Sequence, residues 1–83
     1  MKEFEYAKKF RSGEFQKPVA KVIGKDGNVF NILGITQQSI EREYSLGSVE
    51  IRKSISGEIF DRVTSATSYG MALSIMQEYV KFV

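Results

Sequence analysis

Ile51, Ile55, Ile59 and Val63 recur every four residues, and no other pattern in the sequence restricts the fold as much. Side chains at that spacing lie one above another along a helix. The stripe therefore predicts one amphipathic helix over 49–65, capped by Ser48, with Phe60 beside the stripe and all four aliphatics buried. The first half of the segment also supports an extended reading. Val49, Ile51, Lys53 and Ile55 alternate as strand residues do, and Gly57 can end a strand. The helix is the reading taken.

A stripe of this kind needs a core to face, and 83 residues leave room for one. The chain is expected to form a single small domain, 1–83, with a stability of a few kcal/mol. At 42% hydrophobic and 27% charged residues it has the composition of a globular protein. No cysteine and no histidine occur. Disulfides, thiolate chemistry and Cys-ligated zinc are thereby excluded, and the commonest general base and metal ligand are missing. The carboxylates form no grouping like a calcium loop or a hydrolase pair. An enzyme is not expected, nor a metal or a cofactor. The sequence has no apolar run near 18 residues and no signal-peptide stretch at Met1-Lys2-Glu3-Phe4-Glu5, so no membrane association and a cytoplasmic location are expected.

Around the stripe, the other elements follow from local signals. Before the single proline, Pro18, the residues Phe4, Tyr6 and Phe10 can alternate along a strand with one slip at Lys8; Phe4, Ala7 and Phe10 can equally line a short helix ended by Gly13. The strand is preferred. Val19 to Ile23 is a β-branched run closed by Gly24 and Gly27, which suits a second strand and a tight turn. From Asn28, a good N-cap, Val29, Phe30, Ile32, Leu33 and Ile40 give a broad apolar face, predicting a helix over 28–43. Gly34 inside it suggests close packing by another backbone or a bend in the helix, and packing is the reading taken. Ser68 caps a last helix with Ala72, Ile75, Met76, Tyr79, Val80 and Val83 on one face, and its end, 79–83, can finish as an edge strand. The expected class is α+β: one or two N-terminal strands followed by three helices.

Net charge is +2, unevenly placed. Residues 1–25 hold seven bases against three acids, and Lys8, Lys9, Arg11, Lys17 and Lys21 form a candidate basic patch for phosphate, nucleic acid or an acidic protein. A solvated basic face is the plainer reading.

The segment with a form of its own is Gly24-Lys25-Asp26-Gly27-Asn28, a candidate binding loop whose free amides at the following helix can attract an anion, although Asp26 opposes that. A strand-to-helix turn with glycines at positive φ is the plainer reading. This segment, with Phe30, Ile32 and Gly34, and the later residues Phe60-Asp61-Arg62-Val63, Ser68-Tyr69, Ala72-Leu73, Ile75 and Glu78-Tyr79-Val80, resembles a family of small uncharacterised proteins of bacterial phages, plasmids and other mobile elements. The resemblance spans 19–83. Gly70 stands where that family commonly has an acid, and residues 1–18 have no counterpart in it. It implies a small bacterial accessory protein and carries no assigned function. Ile23-Gly24-Lys25-Asp26-Gly27 also resembles the loop that joins two helices in KH domains and clamps single-stranded nucleic acid. Val19 to Ile23 is a poor helix by propensity, however, and Asp26 puts negative charge where a phosphate would lie. The expectation is a binding or accessory protein acting by surface contact with a protein partner or its own copy. A KH-like nucleic-acid binder using the 24–27 loop is the alternative.

Overall fold

The segment before Pro18 is a helix. In the computed structural model, which describes residues 4–24 and 27–83, α1 spans Glu5–Arg11 and buries Ala7 and Phe10, three residues apart, while Gly13 at φ +86° breaks the chain out of it. Phe4, at its N-cap, has no side chain to accept from the free amides. Those amides are met from elsewhere: Tyr6 and Ala7 N–H donate to the two carboxylate oxygens of Glu58, at 3.2 and 2.9 Å. A contact 51 residues away in sequence thus stabilises the helix over the strand.

Of the expected second strand only β1, Val19–Ala20, is extended, and it pairs in parallel with β2, Lys81–Phe82, in the register Val19 to Lys81 and Ala20 to Phe82. Beyond it, the Val22 and Ile23 amides both donate to the Val83 carbonyl. The α+β expectation is therefore corrected. The described chain is mainly helical, with four α-helices and a sheet of two two-residue strands, one from each end.

The remaining helices follow their caps. Helix α2 spans Val29–Glu41, with Asn28 Oδ1 accepting from Phe30 N–H at 2.8 Å; α3 spans Val49–Thr64, with Ser48 Oγ accepting from Ile51 N–H; α4 spans Tyr69–Met76, with Ser68 Oγ accepting from Met71 N–H. The three pack on one another, and β1 lies against α2. Between α2 and α3 a short 3₁₀ turn, Tyr44–Leu46, is fastened by Arg52, which donates to the Glu41 and Gly47 carbonyls and stacks over the Tyr44 ring.

The core gathers Ile40, Ile55, Ile59, Met76, Tyr79 and Val80, all fully buried. Ile51 is not among them: it is 38% exposed. A four-residue repeat overshoots a full turn by about 40° per step, so Ile51 and Val63 point about 120° apart and cannot both face one core. Phe30 and Val83, expected on apolar faces, are also exposed. Nor does any backbone press on Gly34, since a Cβ built there meets nothing within 4 Å.

Candidate functional site

The turn that leads into α2 is built by its glycines and its cap. Gly24 takes φ +83°, a conformation that side chains disfavour, and Asn28 closes the first turn of the helix. Lys25 and Asp26, the middle of the candidate loop, lie outside the described residues. Gly27 is held from across the molecule, its carbonyl accepting from the Tyr69 hydroxyl at 2.6 Å. This bond joins the start of α2 to the start of α4, beside the end of α3.

At that junction lies a hollow of about 350 Å³ lined by Val29, Phe30, Val63, Ala66, Tyr69 and Ala72 together with small hydroxyl residues. Among the described residues its lining carries no charge. Phe30 is 68% exposed and Tyr69 51%, so two rings stand at its rim with much of their surface in water. Ala66 also lines an adjoining hollow of about 310 Å³, where Phe4, Met71 and Ile75 meet Asp61 and Arg62. The two hollows share Ala66, and the first of them forms an apolar corner.

The candidate basic patch does not assemble as a unit. Lys9 pairs with Glu14 at 3.2 Å and lies over the Phe15 ring, and Lys17 Nζ donates to the Gln77 carbonyl at the end of α4, where a cation complements the helix dipole. Arg11 and Lys17 share a shallow cleft with Glu78. Lys8 is exposed and also engaged in an interaction. Lys21 lines a different groove, with Arg42.

A polar network for which the sequence offers a single local signal runs under α1. The buried Tyr79 hydroxyl donates to Glu58 Oε2 at 2.7 Å and accepts from Arg62 Nη1 at 3.0 Å, while Arg62 grips Glu78 with two bonds of 2.9 Å and stacks over the Phe4 ring. Burial pushes the Tyr79 hydroxyl well above the usual phenol range; the bond from Arg62 works against this shift and the bond to Glu58 reinforces it. Burial weakens the hold of Arg62 on its proton, but its bonds to Glu78 and Tyr79 outweigh that and raise it above the ordinary value. The Glu58 to Arg62 spacing, one helical turn, is the one sequence signal for this group. Glu58 is engaged by two amides and a hydroxyl, and Arg62 by a carboxylate and a hydroxyl, so the network is committed to holding α1, α3 and the end of α4 together. No group of three or more metal-ligating acids occurs among the described residues.

Ahead of the Gly24 to Gly27 loop, Val19–Ala20 is strand and 21–23 is not helical, whereas the KH resemblance implies a helix there. Among the described residues no helix is long and apolar enough to cross a membrane. No protein-family model matches the chain, and neither a curated protein nor a solved structure matches it.

Proposed function

We propose that this chain is a non-enzymatic binding protein, and that its contact face is the apolar corner where α2, α3 and α4 meet. The observation that carries the reading is Phe30, which is 68% exposed on the rim of a hollow whose described lining is uncharged. An aromatic ring of this kind presents roughly 150–250 Å² when free, and returning it from water to an apolar contact is worth roughly 25 cal/mol per Å². Phe30 and Tyr69 contribute little to a core from the rim; against a second apolar surface they can supply the buried aromatic anchors that dominate protein contacts. The carboxylates and hydroxyl gathered at Glu58, Glu78 and Tyr79 are engaged with Arg62 and with one another, which supports a non-enzymatic role. With the resemblance to mobile-element proteins, the proposed setting is a bacterial phage, plasmid or related element.

The test is photocrosslinking in cells, with benzoylphenylalanine at position 30 or 69 and, as a control, at the exposed position 53. A discrete adduct from 30 and 69, but not from 53, is expected, whether to another protein or to a second copy. Equal labelling from all three positions refutes the reading. Micromolar, sequence-dependent binding of short single-stranded RNA or DNA at about 150 mM salt, read by fluorescence anisotropy, would favour the nucleic-acid alternative instead.

A further inference from the structure

We propose that the groove between β1 and α2 receives an extended acidic segment of a partner protein, which adds to the open edge of β1 as a third strand. This site is separate from the apolar corner and does not depend on it.

Among the described residues, strand β1 is bonded on one edge only. The Lys81 amide donates to the Pro18 carbonyl, the Val83 amide to the Ala20 carbonyl, and the Val22 amide to the Val83 carbonyl. In a parallel ladder, alternate residues direct both backbone groups to the partner. The N–H and C=O groups of Val19 and Lys21 therefore face away from β2. An unpaired set of outward donors and acceptors is a template for another extended backbone.

Beside this edge lies a groove of about 640 Å³, bounded by Val19 and Lys21 on one side and by the α2 stripe Ile35, Gln38, Ser39 and Arg42 on the other. The stripe repeats at three and four residues, so it presents one continuous wall. Lys21 and Arg42 bring two positive charges, and among the described residues neither side chain is engaged in an ion pair or hydrogen bond. Glu43 also borders the groove, its carboxylate accepting from Ser45 Oγ at 2.8 Å, so the described lining carries two positive charges against one negative. A net positive charge beside backbone donors and an apolar Ile35 fits a peptide whose alternate side chains are acidic. Among the described residues no aromatic side chain lines the groove to stack a base, which favours a peptide over a single-stranded nucleic acid.

The test is a titration followed by ¹⁵N–¹H spectra of the whole chain, with capped peptides of about nine residues alternating glutamate with valine, threonine or phenylalanine. At least one should give saturable shifts at Val19, Lys21 and the α2 stripe. Its affinity should fall about tenfold or more when alternate peptide amides are methylated, and also in the Lys21→Glu, Arg42→Glu double variant, whose melting temperature should equal that of the parent. Val19→Pro, which removes an outward N–H that no described group accepts, should weaken binding as well. The proposal is overturned by any of four results: no saturable shift up to about 1 mM of any peptide, equal binding of the methylated peptide, shifts confined to the apolar corner, or a short single-stranded RNA that occupies the groove in preference to every peptide.

Discussion

Glu58→Ala tests whether α1 is held by a side chain from another helix. Its carboxylate accepts from Tyr6 N–H at 3.2 Å, from Ala7 N–H at 2.9 Å and from the Tyr79 hydroxyl at 2.7 Å. Losing the first two removes the cap of α1, a change worth about 0.5–2 kcal/mol at other helix starts. Losing the third strands the hydrogen of a fully buried hydroxyl, at about 1–3 kcal/mol. Together the loss is about 3 kcal/mol, a large share of the roughly 4–12 kcal/mol that a domain of this length can have. Urea denaturation followed by circular dichroism measures it. Tyr79→Phe in the same background should recover about 1 kcal/mol, because the stranded hydroxyl is then gone. Hydrogen exchange supplies the local readout: the Lys8 amide, bonded to the Phe4 carbonyl, should exchange faster in Glu58→Ala. A loss below about 1 kcal/mol, or no recovery in the double variant, would refute the view that Glu58 is the missing cap.

Gly34→Ala and Gly57→Ala should each raise stability by about 0.5–1 kcal/mol in urea melts, since both sit inside helices and a Cβ at either meets nothing within 4 Å. Ile55→Asp should unfold the chain by circular dichroism, since Ile55 is fully buried, while Ile51→Asp, at a site 38% exposed, should cost only about 1–2 kcal/mol and leave it folded. Tyr79 holds its proton more tightly folded than unfolded, so its contribution is complete below the ordinary phenol value near 10 and falls as pH rises above it. Urea melts between about pH 8 and 11 should therefore show the wild type losing its advantage over Tyr79→Phe as the solution becomes alkaline.

Three helix starts were legible because their causes are local: Asn28, Ser48 and Ser68 each accept from an amide two or three residues ahead. The first helix was not, because Phe4 to Phe10 is compatible with either period and the deciding acceptor, Glu58, comes from α3. Hydropathy also placed Phe30 on the buried face of α2; its neighbours Ile32 and Leu33 are buried, whereas Phe30 stands over a hollow that forms only when α4 arrives. For the basic patch, sequence supplied the charges but not their partners, and Glu14 and the end of α4 divide them. Within the candidate loop, the turn at Gly24 and the cap at Asn28 follow the local signals, while the bond from Tyr69 to Gly27 spans 42 residues.

The parallel pairing of Val19 with Lys81 joins segments near opposite ends of the sequence. Closing so long a loop carries an entropy penalty that contacts between neighbouring helices avoid, so the α2 and α3 pair can form early and the strands join late. In the native state the same asymmetry runs in reverse. Release of 81–83 alone leaves the packing of α2 on α3 in place but removes the partner that keeps β1 extended, which makes the sheet an opening unit of its own. The groove edge exists only while that unit is closed. Anything bound there must slow the opening by mass action, so the exchange of the Lys81 and Val83 amides, both on the far side of β1, becomes a clock for occupancy of a surface they never touch.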